Sequence, residues 1–106
     1  MRTEEDRDDK DTRRAEGLAL RLYVADDGPN SVRAVANLRA ICARCLDSSE
    51  YRLEIIDVLQ EPARALEAGI LVTPTLVGRG RVAVSIVGTL DDHENVRRAL
   101  GLNESR

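Results

Sequence analysis

A short alternating segment constrains the fold more than any other feature of the sequence. Within Leu18–Ala25 an apolar side chain recurs at every second position, which is the period of a β-strand that buries one face. The turn-forming run Asp26–Asn30 ends this strand. Asn30 or Ser31 can then cap a helix that continues to about Leu46. Its predicted apolar face consists of Val32, Val35, Leu38, Cys42, Cys45 and Leu46. The sequence therefore opens as a β-α-β unit.

The middle of the chain continues this pattern with a second strand and a second helix. Tyr51–Val58 is rich in β-branched and aliphatic residues, which predicts a largely buried strand after the polar loop 47–50. Pro62 favours the first turn of a helix, and Gly69 is placed where a left-handed cap ends one. A short helix over 62–68 is expected.

The last third of the sequence predicts a β-hairpin and a final helix. Thr75–Val77 and Val82–Val87 are strand-like segments that Gly78–Arg81 would connect. Asp91 or Asp92 can cap the last helix, whose apolar stripe contains Val96, Ala99 and Leu100 before Gly101. The predicted order is β-α-β-α-β-β-α. With helices on both faces of one mixed sheet, this α/β arrangement is the thioredoxin-like fold.

The charge distribution separates a tail from one domain. Residues 1–16 contain five basic and seven acidic residues and few apolar ones, which predicts a disordered tail before a domain over 17–106. The remaining 11 basic and 12 acidic residues nearly balance, so nucleic acid and membrane surfaces are poor partners. The charged beginning lacks the apolar stretch of a signal peptide, and no apolar run approaches the roughly 20 residues of a membrane span. We therefore expect a cytoplasmic protein.

Two cysteines and one histidine are the candidates for chemistry. Cys42 and Cys45 have the spacing of a dithiol redox centre, but they fall in the last turns of the predicted first helix and on its apolar face. This position favours two buried packing residues, whereas a thiol-disulfide oxidoreductase or redox sensor is the alternative. A zinc site would need more ligands than His93 supplies, and no nucleophile motif accompanies that histidine. We expect no catalytic residue, metal or cofactor.

Thr73-Pro74 precedes a predicted strand. In a thioredoxin-like arrangement Pro74 would follow a cis peptide bond and lie opposite the loop Asp26–Asn30. A trans proline that opens an edge strand is the alternative.

Several of these segments together resemble the KaiB family of circadian clock proteins. The resemblance covers about Leu18–Leu102. It is carried by Leu20–Ala25 with Pro29–Ser31 and Ala34, by Ile56–Leu59 with Pro62, and by Ile70, Leu71 and Thr73–Leu76.

The resemblance implies a binding protein and not an enzyme. KaiB-like proteins dock on the ring-shaped, RecA-type ATPase KaiC and help to set the timing of its phosphorylation cycle. They also adopt two folds, a self-associated ground state and a thioredoxin-like state that binds KaiC. For this chain the resemblance implies that the self-associated state would be a dimer or tetramer. The sensor domain of a clock-output histidine kinase is also KaiB-like and is a further alternative.

Two departures from the usual family sequence bear on the choice of fold. Gly78–Val82 replaces consecutive prolines before an arginine, and Gly88–Asp91 reads Gly-Thr-Leu-Asp where the family usually has Gly-Asp-Leu-Ser. The alternation in Val82–Val87 also favours a strand over a helix. We therefore predict that the thioredoxin-like state dominates over the ground-state fold, with Pro74, Gly88 and Asp91 as the positions tied to the fold state.

The docking face is predicted to include the exposed side of the sheet, the first helix and the hairpin. Arginine is favoured at interfaces because its guanidinium group makes several hydrogen bonds and stacks on other side chains. Arg33, Arg79 and Arg81 are therefore the predicted partner contacts.

Overall fold

The computed structural model describes residues 17–80 and 82–102. Its elements are β1 (Leu18–Val24), α1 (Pro29–Cys45), a 3-10 turn (Ser48–Glu50), β2 (Tyr51–Asp57), α2 (Pro62–Ala68), β3 (Thr75–Gly80), β4 (Val84–Val87) and α3 (His93–Ala99). This order confirms the predicted β-α-β-α-β-β-α arrangement. The predicted tail over residues 1–16 and the predicted contact Arg81 lie outside the described residues.

The four strands form one mixed sheet in the order β2-β1-β3-β4. β1 is parallel to β2, from Leu18 opposite Tyr51 to Val24 opposite Asp57. β3 is antiparallel to both β1 and β4. The carboxyl ends of β1, β2 and β4 therefore meet the amino end of β3 at one end of the sheet, where α1 also begins. The fold is thioredoxin-like, as predicted.

The hydrophobic core lies between one face of the sheet and the helices α1 and α3. Its fully buried members include Leu20, Leu22, Ala34, Leu38, Cys42, Leu76 and Leu100. Each buried leucine contributes roughly 1.5–3 kcal/mol relative to an exposed one. The helix α2 covers part of the opposite face, where Arg64 and Ala68 lie near Tyr23.

The first helix begins earlier than predicted, and its buried face is rotated. Gly28 is the N-cap and Pro29 begins the helix, whereas Asn30 and Ser31 were the predicted caps. Ser31 is instead buried within the helix, and its hydroxyl donates to the Ala25 carbonyl at 3.1 Å. Val32 is 56% exposed, so its assignment to the apolar face was wrong. The face of α1 that packs on the sheet consists of Ala34, Leu38, Ile41, Cys42 and Cys45.

The hairpin differs from the prediction because β3 continues through the glycine-rich segment. Gly78 pairs with Val84, so Gly78–Gly80 belongs to the strand and is not part of a four-residue connection. A Cβ at Gly78 would lie 3.1 Å from the Leu100 side chain, and one at Gly80 would lie 2.5 Å from the Gly17 carbonyl oxygen. Glycine thus lets β3 pass close to its neighbours.

The second strand is less buried than predicted. It lies at the edge of the sheet with β1 as its neighbour, and Ile56 is its single fully buried residue. Three local predictions are confirmed. The Thr73-Pro74 bond is cis, Gly69 ends α2 with a left-handed φ of 72°, and the Asp92 side chain caps α3 by accepting from the Asn95 N–H.

Candidate functional site

The two cysteines lie in the last turns of α1 and point into the core. Cys42 is fully buried, and Cys45 is 5% exposed beside a pocket of about 230 Å³. Burial, together with the neighbouring Cys45, raises the pKa of the Cys42 thiol to about 11, while Arg39 opposes the shift. Because the thiolate is the nucleophile, this pKa leaves Cys42 a poor nucleophile at neutral pH. This environment fits the predicted packing role.

Hydrogen bonds fix the loops at the end of the sheet where β1, β2 and β4 finish. The Asp57 carboxylate accepts from the N–H groups of Asp26, at 3.3 Å, and Leu59, at 2.9 Å. On the other side of β1, the Thr75 hydroxyl donates to the Val72 carbonyl at 2.7 Å, and the Gly88 N–H donates to the Pro74 carbonyl at 2.9 Å. These bonds hold the loops after β1, β2 and β4 and the loop before β3 in place.

Large apolar side chains are exposed on these loops, at the last residue of β4 and on the first turn of α1. We call this set the strand-end surface, and it consists of Val32, Leu59, Leu71, Val72 and Val87. Leu71 is the most exposed, at 93%. Exposed apolar side chains that share one end of a sheet form a candidate protein-binding surface. Sequence reasoning assigned Val32 to the core and missed this surface.

A polar cluster joins α1 to the segment between β4 and α3. The Asn37 amide donates to the Thr89 carbonyl at 2.8 Å and to the Asp91 carboxylate at 2.9 Å, and its oxygen lies 2.9 Å from Nε2 of His93. We call Asn37, Thr89, Asp91 and His93 the helix clasp. Hydrogen bonds from Thr89 and Asn37 hold the pKa of Asp91 below its ordinary value, and the charges of Arg33 and His93 add to this.

The helix clasp contains His93 and Asp91, two residues that were already candidates on sequence grounds. His93, the histidine that no nucleophile motif accompanies in the sequence, is half-buried and paired with Asn37. Asp91 adjoins the cap residue Asp92 and receives the side chains of Asn37 and Thr89. Gly88 precedes the clasp with a φ of 120°, a conformation that glycine adopts without strain.

The structure does not bring Arg33 and Arg79 onto one face. Arg33 lies on α1 with Nε 3.7 Å from the Asp91 carboxylate, on the side of the sheet that carries the core. Arg79 lies on the opposite side, in a groove that also contains Arg21, Tyr23 and Arg64. A single flat partner surface therefore cannot contact both.

The exposed side of the sheet carries alternating charges in register. Arg64 donates two hydrogen bonds to the Glu54 carboxylate, at 2.6 and 2.9 Å, and Arg21 lies 3.6 Å from it. Arg64 accordingly holds the pKa of Glu54 below its ordinary value. One row along the sheet, Ala19 is flanked by Arg52 on β2 and Arg79 on β3. Sequence reasoning did not select Arg52, although the alternation in β2 places it on this side.

Within residues 17–80 and 82–102, no group of three or more His, Cys, Asp or Glu side chains is arranged to hold a metal ion. In the same part of the chain, no helix combines the length and apolar character needed to cross a bilayer.

Comparison with known sequences gives one consistent family. The sequence-family model of the KaiB domain matches residues 21–102 of this chain. The circadian clock protein KaiB3 of Synechocystis sp. is 40% identical over 87 residues, which span 81% of this chain and 82% of that protein. The circadian clock oscillator protein KaiB of Synechococcus elongatus is 44% identical over 84 residues, spanning 78% of this chain and 81% of that protein.

Comparison with solved structures supports the fold. The N-terminal domain of Synechococcus elongatus SasA has a TM-score of 0.64 at 27% identity, covering 79% of this chain and 83% of that domain. A thioredoxin from Halobacterium salinarum has a TM-score of 0.65 at 20% identity, covering 86% of this chain and 79% of that one. The second likeness is one of fold alone.

Proposed function

The chain belongs to the KaiB family of circadian clock proteins, and on that premise we propose that it is a non-enzymatic regulator that docks on a KaiC-like ring ATPase. Docking would change the timing of the phosphorylation and ATPase cycle of that partner. The proposal places both proteins in the cytoplasm. The observation that carries it is the strand-end surface, a set of exposed apolar side chains on loops held by hydrogen bonds.

The strand-end surface has the features of an interface. Burying apolar area contributes about 25 cal/mol per Å², and the buried centre of an interface is depleted of charge. Leu71 and Val72 would supply this centre, because both are exposed and Val72 is anchored through its carbonyl to Thr75. Arg33 adjoins Val32 on α1 and would lie at the polar rim. The Arg33 guanidinium also faces Asp91. Mutation of Arg33 would therefore change both the rim of the interface and the helix clasp.

The surroundings of the cysteines support docking over redox chemistry. A thioredoxin-type attacking thiol needs a position at the start of a helix, where free N–H groups lower its pKa. Here α1 begins with Pro29, Asn30 and Ser31, and the cysteines lie at its other end. The raised pKa of Cys42 acts against the alternative of an oxidoreductase or redox sensor.

Three charge-insertion variants test which surface docks. Leu71→Glu and Val72→Glu place a carboxylate in the strand-end surface at exposed positions, so the fold should persist. Leu66→Glu is the matched control, because Leu66 is 80% exposed but lies on α2, outside that surface. Binding to a KaiC-like ATPase, measured by calorimetry with nucleotide present, should weaken at least tenfold for the first two variants, or about 1.4 kcal/mol. Equal affinity for all three would refute the proposed surface.

The same measurement addresses the predicted contact Arg79. Arg79→Glu should leave the affinity close to that of the unmodified protein, because Arg79 lies across the sheet from Arg33. Loss of binding on this change, with Leu71→Glu still binding, would assign docking to the exposed sheet face instead.

We also propose that the protein forms homo-oligomers, either dimers or tetramers. Light scattering of the protein alone would detect them.

A further inference from the structure

Two arginines on the exposed side of the sheet flank a single small residue. Ala19 is opposite Arg52 on one side and Arg79 on the other, in adjacent strands. All three side chains point away from the core, because Leu18 and Leu20 on either side of Ala19 are buried. Neighbouring strands lie about 4.8 Å apart, so the Cα atoms of the two arginines are roughly 10 Å apart. We call Arg52, Ala19 and Arg79 the arginine row.

The two arginines of the arginine row have no ion-pair partner among the described residues, although Glu67 lines the same depression as Arg79. In the next row of the sheet, Arg21 and Arg64 share the Glu54 carboxylate. By contrast, no ion pair or side-chain hydrogen bond joins Arg52 or Arg79 to any residue in 17–80 or 82–102. Two guanidinium groups on either side of a methyl group favour a carboxylate-rich segment, since Arg pairs with carboxylates through two parallel hydrogen bonds.

The surface around the row has room for an extended segment. Arg79 lines two adjoining depressions, of about 350 and 520 Å³. The first has Ala19 and Val77 among its apolar residues and Glu67 at its α2 side, and the second continues across β3 towards Ser85 on β4, away from that carboxylate. An acidic peptide could thus place carboxylates on the arginines and its backbone over small side chains.

The position of the row in the chain identifies the segment that would occupy it. The described residues begin at Gly17, two positions before Ala19, so the preceding chain starts beside the row. That preceding chain contains Glu4, Glu5, Asp6, Asp8, Asp9 and Asp11. Asp11 and Ala19 are eight positions apart in the chain and can be up to about 27 Å apart in space, which is ample for the chain to fold back. A tether of this kind raises the local concentration to the millimolar range.

We propose that the acidic segment Glu4–Asp11 docks on the arginine row and covers this side of the sheet within the same molecule. The inference is independent of the proposed docking on an ATPase, because the arginine row and the strand-end surface do not share a residue. The contact is electrostatic and exposed, so salt weakens it. An acidic segment of another protein would have to displace the chain's own segment before it could bind there.

A spin label tests whether the segment reaches the row. In the ¹⁵N-labelled full chain, Thr3→Cys with a nitroxide should broaden the amide signals of Ala19, Arg52 and Arg79. Arg98, which is exposed on α3 across the sheet, is the reference and should keep its intensity. Unchanged intensity at the arginine row would overturn the proposal.

Charge variants separate specific pairing from simple proximity. Changing the six carboxylates of Glu4–Asp11 to amides should remove the broadening, and so should R52Q combined with R79Q. The matched control changes Arg7 and Lys10 to Gln and should retain it. Broadening that survives loss of the carboxylates would contradict a charge-based contact. Broadening that arises equally when labelled and spin-labelled chains are different molecules would assign the contact to a second copy and overturn the intramolecular assignment.

Discussion

The amide of Asn37 donates a hydrogen bond of 2.9 Å to the carboxylate of Asp91, and so joins residues that are 54 positions apart in the chain. The same amide group bonds to the Thr89 carbonyl, so a single side chain on α1 holds the connection between β4 and α3. The last part of the thioredoxin-like arrangement therefore depends on a polar contact as well as on the core residues Val96 and Leu100.

Replacing Asn37 with alanine should destabilise the protein. Asn37→Ala removes the two donated hydrogen bonds and the contact with His93, and each net hydrogen bond contributes about 0.5–1.5 kcal/mol. We expect a loss of about 1–3 kcal/mol in the free energy of unfolding, measured by urea denaturation. Asn30→Ala on the exposed first turn of α1 is the control and should change it by less than about 0.5 kcal/mol. Equal effects of the two changes would contradict the role of the clasp.

The clasp should also make stability depend on acid pH. The folded-state pKa of Asp91 is lowered from its ordinary value of 3.8, so the ionised carboxylate stabilises the folded state. This contribution is fully present well above pH 3.8 and is lost as the pH falls through the lower folded-state pKa. Asp91→Asn should therefore flatten the acid limb of a plot of unfolding free energy against pH. A limb of unchanged slope, or an NMR titration of Asp91 centred above 3.8, would contradict this prediction.

The thiols should react slowly in the native protein. Cys42 is buried with its pKa raised to about 11, and Cys45 is nearly buried. A colorimetric thiol reagent at neutral pH should label both cysteines slowly, and quickly once denaturant is added. A variant with an added surface cysteine, Ser85→Cys, is the control for reagent access, because Ser85 is exposed. Rapid labelling of Cys42 or Cys45 in the native protein would contradict this prediction and favour a thiol-disulfide oxidoreductase or redox sensor.

Truncation of the buried face of α1 should be costly and truncation of its exposed face should not. Leu38 is completely buried, and leucine-to-alanine changes in cores cost about 2–5 kcal/mol. Leu38→Ala should reduce the free energy of unfolding by this amount in chemical denaturation. The matched change Val32→Ala, at a position that is 56% exposed, should alter it by less than about 1 kcal/mol. A large loss of unfolding free energy for Val32→Ala would instead indicate that Val32 packs in the core.

Local sequence patterns were sufficient to predict the helices and strands of this fold. The ends of the strands and the faces that the elements expose depend on contacts across the sheet. The alternation in β1 and the left-handed cap at Gly69 are local features, so the sequence was sufficient for both. The extension of β3 through Gly78 depends on how closely Leu100 approaches, which a local pattern does not contain. The exposure of Val32 depends on which face of α1 meets the sheet, and the place of Arg52 in a row depends on strand register.

The central claim is docking on a KaiC-like ring ATPase, and co-elution tests it most directly. The full chain would be incubated for hours with a KaiC-like ATPase and nucleotide and then examined by size-exclusion chromatography with light scattering. A complex should form with the unmodified protein and be lost on Leu71→Glu, while Leu66→Glu still co-elutes. Absence of any complex with the unmodified protein after that incubation would contradict the docking role.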